Sequence, residues 1–489
     1  MPDGTEIFDV IVVGAGVSGL GTACHLKSDM PHKRILILER EETFGGTWLT
    51  NTYPGARSDS DLFTYGYRFK PWMGAHYASR EEILAYLGEV VAEHALDRLI
   101  RYGMTVTAAD WSSADALWTL TVAGSGGESL RLRTRFLAMC QGYYHHRKGY
   151  WPDWPGLSSY TGEIVHSQEW PEDLDVSGRS IVVIGSGATA ATLVPALARS
   201  SGPITLLQRS PSWYFWGSST KDLVELLRRL DIDPAWIHEI ARRKSVADEA
   251  EFIRRTLEEP EAVKAEMLEA IRDVLGPGFD IETHFHPRYR PWQQRVCYIP
   301  DADFLETFRS GKATIVTAEI ERFTPDAIRL RSGRELKADL VVAATGFDLC
   351  LLGDVHFSRD GEPVDIAETV TYRGMMFSGL PNLTWTFGYL RASWTLRVDM
   401  NAEFLCRLLR HMDANGHRAA MPQLLPEEQA LPRRPWVEPE NFNGGYLMRS
   451  LARMPRSLDR PEWRHMHDYW AEKDTIPAID LADGRLRFA

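Results

Sequence analysis

FDVIVVGAGVSGLGTACHL, residues 8–26, decides the fold. An apolar run of strand length is followed by Gly14, Gly16 and Gly19, and then by a helix-like pattern. The next strand, RILILER (34–40), delivers Glu39 20 residues after Gly19, where a ribose 2′-hydroxyl acceptor belongs. Glycines at this spacing let the backbone approach a pyrophosphate at the positive end of the helix. The pattern returns in SIVVIGSGATAATLVPAL (180–197), with Gly185, Gly187 and Ala190 in the same roles. Its following strand, ITLLQRS, presents Arg209 and Ser210 where the first motif has an acid. Arginine there accommodates a 2′-phosphate. The first site therefore suits a cofactor with a free ribose, FAD, and the second NADPH. Two such sites on one chain imply a flavoprotein oxidoreductase of α/β class, built on two Rossmann-like dinucleotide-binding domains.

Whole-chain properties narrow the alternatives. The chain has 489 residues, 44% hydrophobic and 25% charged, long enough for several domains and large cores. A formal charge of −12 argues against nucleic-acid binding. No apolar run reaches a membrane span, and FDVIVVGAG lacks the flanks of a signal peptide. Five scattered cysteines without a Cys-x-x-Cys pair suit a reducing cytoplasm and exclude dithiol chemistry. No metal site is expected; His145 and His146, without partners at ligand spacing, read as surface histidines.

The predicted organisation is a first part of the FAD domain over 1–145, a first part of the NADP domain over 146–215, a helical insertion over 216–290, a second part of the NADP domain over 291–345, and the remaining FAD-domain and C-terminal region over 346–489. Residues 80–97 read as an amphipathic helix. WTLTVAG to LRLRTRFLAMCQG reads as a small meander. NAEFLCRLLRHMDANG reads as a late helix stopped by Gly416, with its apolar stripe in the core.

Residues 45–61, GGTWLTNTYPGARSDSD, resemble the long fingerprint of type I Baeyer–Villiger monooxygenases. Gly45, Gly46, Trp48, Tyr53, Pro54, Gly55 and Asp59 fill every specified position. A second family fingerprint is met by YTGEIVHSQEWP through Gly162, His166, Trp170 and Pro171, with Tyr160 in place of phenylalanine. VIGSGATA, QRSP, PWQQRVCYIPDADF and ASWTL are similar to the ethionamide-activating mycobacterial branch of that family.

The resemblance implies that NADPH reduces FAD, that O2 is captured as a flavin peroxide, and that oxygen inserts beside a ketone carbonyl to give an ester or lactone. It implies sulfides as further substrates. It makes Arg295 the catalytic cation and Asp59 its partner. It places Ser18, Thr47, Trp48, Leu49, Thr50 and Val106 against FAD. It turns Arg57 and Ser58 towards NADPH and Asp59 into the site, where Asp59 also counts among the cofactor-binding residues, with Ser186, Ala188, Thr189 and Ala191 completing the second turn. Gln294 stands where many members carry a phosphate-binding lysine, which leaves Arg209 with most of the NADPH preference. An oxygenase of sulfur or nitrogen nucleophiles, and a non-catalytic FAD/NADPH redox sensor, remain the alternatives, and monomer and homodimer are both open.

Overall fold

The computed structural model describes residues 6–217 and 219–489. Two sheets organise the chain. In the first, of nine strands, Ile7–Val13 runs parallel between Ile35–Leu38 and the C-terminal half of Ser129–Met139. In the second, five parallel strands lie in the order Ala313–Thr317, Ile204–Gln208, Ile181–Ile184, Leu340–Ala343, Glu163–His166. The strands Ile35–Leu38, Ile181–Ile184 and Leu340–Ala343 are buried along their whole length. That explains their unbroken apolar runs, because a parallel sheet is covered on both faces.

Each sheet opens at the C-terminal end of its motif strand, which lies between two parallel neighbours, the position where α/β sheets take their ligands. Gly14 (φ +103°) and Gly185 (φ +143°) make the turns there. A Cβ on Gly14 would lie 2.8 Å from the Cys140 carbonyl oxygen; on Gly185, 2.3 Å from that of Ala344. Both first glycines thus abut the strand across the opening, and the helices Val17–Asp29 and Ala188–Leu197 follow directly.

The expected meander is not a separate unit. Ser129–Met139 is 11 residues long, pairing antiparallel with Leu117–Gly124 and parallel with Ile7–Val13, so one strand joins the meander to the main sheet. The helix after residue 80 runs from Arg80 to Glu93 behind a Ser79–Glu82 capping box. The late helix begins earlier than its apolar stripe, spanning Trp394–Asn415 and ending at left-handed Gly416 (φ +68°). Buried Arg397, Asp399 and Asn401 hide its first turns from an apolar pattern, whereas Phe404, Leu405, Leu408, Leu409 and Met412 join the core.

The insertion consists of the helices Ser219–Arg229, Pro234–Glu258, Pro260–Leu275 and Ile281–His284. It does not pack on the second sheet alone. From Pro234–Glu258, Arg242 donates to the carbonyls of Phe63 (3.0 Å), Thr64 (3.3 Å) and Gly66 (3.0 Å), and His238 Nδ1 accepts the Trp72 backbone N–H at 3.0 Å. Among the described residues no helix is long and apolar enough to cross a membrane.

Candidate functional site

The two openings face a single cleft of about 460 Å³. Gly14, Gly16, Ser18, Glu39, Thr47, Trp48 and Val106 line it from the first domain, and Gly187, Ala188 and Thr189 from the second. Arg57, Ser58, Asp59 and Arg295 lie between them. Gly19, Ala190 and Ala191 are buried behind the helix starts. Leu49 and Thr50 sit behind Trp48, outside the lining, where the Leu49 carbonyl accepts from Arg80 at 3.2 Å. Ser186 turns its hydroxyl to that of Ser212 at 3.0 Å. Arg209 and Ser210 are exposed at the strand end, beyond the lining.

Glu39 is buried, and its carboxylate accepts the N–H of Ala15 (2.6 Å) and of Glu41 (2.9 Å). Burial raises its pKa, and these two backbone bonds pull it back towards the ionised form. Trp48 is fixed by its indole N–H, which donates to the Tyr65 hydroxyl at 2.8 Å. The Tyr144 hydroxyl donates to Thr47 at 2.8 Å.

The fingerprint loop crosses from one domain to the other. Gly55 (φ +76°) lies so close to the helix Ala188–Leu197 that a Cβ would meet that of Ala196 at 2.7 Å. Ser58 is held by its N–H to the Ala78 carbonyl at 3.0 Å. Asp59 then meets Arg295 in a bidentate pair, Nε to Oδ2 at 2.8 Å and Nη2 to Oδ1 at 2.6 Å. Burial works against the Arg295 cation, yet the charge and bonds of Asp59 outweigh it and raise its pKa. The guanidinium is therefore a permanent positive charge inside the cleft. Arg57 turns to Asp303.

Several residues lining the cleft were not singled out from sequence. Tyr143, Trp394 and Tyr446 form an aromatic wall beside Arg295; Tyr143 and Trp394 stack at 5.0 Å. Of these only Trp394 falls within a stretch used for the resemblance, and nothing local in the sequence brings 143, 394 and 446 together. Among the described residues, Asn51 Oδ1 and Gln141 Oε1, both on cleft-lining side chains, are buried without a hydrogen-bond partner. Unpaired buried acceptors of this kind suit the hydroxyl and N–H donors of a bound dinucleotide.

The reading of His145 and His146 as surface residues is corrected. His146 lines the cleft, with Nδ1 at 3.0 Å from the Thr50 hydroxyl, and burial lowers its pKa to about 4, so it is neutral. His145 pairs with Asp354 at 3.2 Å, and with Cys350 these two side chains bring three potential metal-ligand atoms within 4.8 Å of one another. Sequence spacing could not show this, because the partners lie some two hundred residues away. Burial, first, and the nearby Asp354 carboxylate push the Cys350 thiol up to about 12, so as found it is a protonated thiol.

Two further carboxyls lie beside the Asp59–Arg295 pair. Asp61 accepts from Phe63 N–H at 2.7 Å and from the Ser245 hydroxyl of the insertion. Burial raises it to about 7 despite these bonds. Glu249, on the same insertion helix, is raised to about 8 by burial and by the charge of Asp61, against the pull of Arg295. Unfolded, both groups lose their protons near pH 4. The folded chain therefore holds more protons from about pH 4 to about pH 8, and stability falls as pH rises through that window, by at most about 1.4 kcal/mol per unit for each group. Melting temperature should drop between those limits, and Asp61→Asn with Glu249→Gln should flatten the slope. An unchanged slope in the double variant would mean that other groups carry the pH dependence.

Similarity to known proteins runs along the whole chain. Residues 12–86 match the NAD(P)-binding Rossmann-like domain, and residues 67–349 match the L-lysine 6-monooxygenase/L-ornithine 5-monooxygenase family. The chain is 42% identical over 486 residues to the FAD-containing monooxygenase EthA of Mycolicibacterium smegmatis, covering 99% of this chain and 97% of that one. Among solved structures, an oxidized steroid monooxygenase bound to NADP superposes with a TM-score of 0.77 at 22% identity, covering 99% of both chains. OTEMO in complex with FAD and NADP gives 0.72 at 21% identity over the whole of both.

Proposed function

Because this chain belongs to the family of FAD-containing monooxygenases, we propose that it binds FAD at the first glycine turn and NADPH at the second, and inserts one atom of O2 beside a ketone carbonyl to form an ester or lactone. The same site would oxygenate sulfides. The observation that carries this reading is the bidentate Asp59–Arg295 pair inside a cleft shared by two dinucleotide turns. A protein that only bound the two nucleotides would have no use for it. FAD, reduced by NADPH, supplies the activation of O2, chemistry that no side chain provides.

The chain's own residues supply binding, charge and exclusion of water. Glu39 would hold the ribose of FAD, and the turns at Gly14–Gly16 and Gly185–Gly187 the two pyrophosphates. Asp59 engages Nε and Nη2 of Arg295, which leaves Nη1 to face an oxygen on which negative charge develops. Tyr143, Trp394 and Tyr446 would screen that oxygen from solvent. Five free, buried cysteines are consistent with a cytoplasmic setting.

A second reading, oxygenation of a soft nitrogen or sulfur nucleophile, is favoured by the family match over residues 67–349. It uses the same cofactors but has less need of a cation beside the oxygen. The test is a panel of linear, cyclic and aryl ketones, sulfides and amines, with products identified by mass. Esters or lactones from ketones uphold the proposal; oxygenated sulfides or amines without any ester favour the second reading. NADPH oxidation that no compound accelerates would sink both.

The exposed Arg209 gives a separate expectation. Arg209→Ala should weaken NADPH by about 1.5–3 kcal/mol while leaving NADH nearly untouched, because the lost charge meets only the 2′-phosphate. Equal weakening of both, in the ratio of kcat/KM values, would assign the phosphate to another residue.

A further inference from the structure

Two ion pairs, not one, join the fingerprint loop to the segment that carries Arg295. Besides Asp59–Arg295, Arg57 Nη1 donates to Asp303 Oδ2 at 2.6 Å and Nη2 to Oδ1 at 3.0 Å. Both pairs are bidentate, and their polarity is opposite. The loop offers an acid to the segment's arginine and an arginine to the segment's acid. Arg57 bridges Ser79 in an antiparallel β-bridge, and the Ala56 carbonyl accepts the Arg80 N–H at 2.9 Å, so the loop backbone is tied down at this point.

The partner segment is held as firmly. Cys297–Tyr298 pairs with Tyr214–Phe215, and Ile299 N–H donates to the Phe215 carbonyl at 2.9 Å. The chain then passes through Asp301 (φ +49°) and Ala302 (φ +55°), two consecutive non-glycine residues in the left-handed region, before the helix Asp303–Arg309 begins. Such conformations persist where surrounding contacts over-determine them. Here they bring the Asp303 carboxylate to Arg57.

We propose that Arg57 and Asp303 are a positioning pair: with Asp59–Arg295 they form a crossed clasp that sets the register of the fingerprint loop against the second domain, so that Arg295 stands where productive oxygenation needs it. Both residues would act through Arg295 rather than on the reacting atoms. The obvious rival is that Arg57 binds a phosphate of NADPH. Against it, both Nη atoms are committed to a carboxylate that neutralises the cation, whereas a phosphate-binding arginine offers its fork to the ligand. The inference rests on the placing of Arg295 and Asp59 at the reacting site in the function proposed above.

The test is a cycle of near-isosteric, neutral variants, Arg57→Met, Asp303→Asn and the double, each purified with FAD. Three quantities are read: melting temperature, hydrogen exchange of backbone amides in 53–62 and 295–305, and product formed per NADPH oxidised. Each single variant should speed exchange in both segments and lower product per NADPH about tenfold, because small displacements of a catalytic group are costly. The double variant should be no worse than either single one, since residues acting as a unit are non-additive. The preference for NADPH over NADH should not move.

Additive losses, or Asp303→Asn behaving as the unaltered enzyme while Arg57→Met loses NADPH selectivity, would overturn the clasp and make Arg57 a cofactor ligand. If a single variant fails to retain FAD, the charge-swapped protein Arg57→Asp with Asp303→Arg decides. Recovered exchange protection supports the pair, and its absence overturns it. Should Asp59→Ala prove fully productive, the role given to Asp59 in the function proposed above fails, but exchange and melting still report on the clasp independently.

Discussion

Arg295→Ala keeps its yellow colour and is still reduced by NADPH, but its yield of oxygenated product falls about a hundredfold to a thousandfold. That is the range for removing one fixed donor from a site of developing charge. Folding should survive, because Arg295 is two-fifths exposed at its side chain and its removal vacates space at the edge of a cleft. NADPH oxidation continues in the variant, and O2 is returned as hydrogen peroxide. Arg295→Lys should rescue little: an ammonium is a point charge and cannot reproduce the Nε–Nη2 fork on Asp59 while a further N–H faces the cleft. The measurement is ester or sulfoxide formed per NADPH, beside flavin content and the rate of flavin reduction. Ketone conversion by Arg295→Ala at the unaltered rate would remove this residue from the chemistry.

Asp59→Ala is expected to lose about a hundredfold in product formation with FAD content preserved. The carboxylate accepts two hydrogen bonds from Arg295 and outweighs the penalty of burying that cation. Without it the guanidinium is free to rotate, and a shift of only about 1 Å in a catalytic group costs on this scale. The pathway should become leaky rather than slow: NADPH consumption persists while hydrogen peroxide rises in proportion to the missing product. Asp59→Asn distinguishes charge from shape. It retains one acceptor oxygen, so recovery of more than half the coupling would show that geometry matters more than charge at this position. Full coupling in Asp59→Ala would reduce the acid to a loop residue.

Much of this arrangement is written locally. A G-x-G-x-x-G turn needs only adjacent residues: a strand end, glycines that admit φ +103° at Gly14 or +143° at Gly185, and a helix start. Glu39 and Arg209 follow at a fixed offset, because a single helix of known length separates them from the turns. Gly416 likewise marked its helix end through its own left-handed preference. The late helix start at Trp394 was not legible, since buried Arg397 and Asp399 find partners that only the folded chain supplies; Arg397 is paired with Glu472 and Asp399 with His25.

Sequence alone therefore determined the two dinucleotide folds, and it suggested a cofactor for each turn; the family resemblance added Asp59 and Arg295 as a candidate pair. What the tertiary structure decided is how the loop and the insertion are fastened. Asp59 meets Arg295 across 236 positions and Arg57 meets Asp303 across 246. The insertion reaches back to Asp61, and the aromatic wall draws on residues 143, 394 and 446. Contacts at such separations leave no periodicity in the chain. They arise because two sheets, each opening at its own glycine turn, face one another and leave a loop to cross between them. Which charges then meet is set by burial: a cation or a carboxyl taken out of water must find its partner in whatever segment the fold has brought alongside.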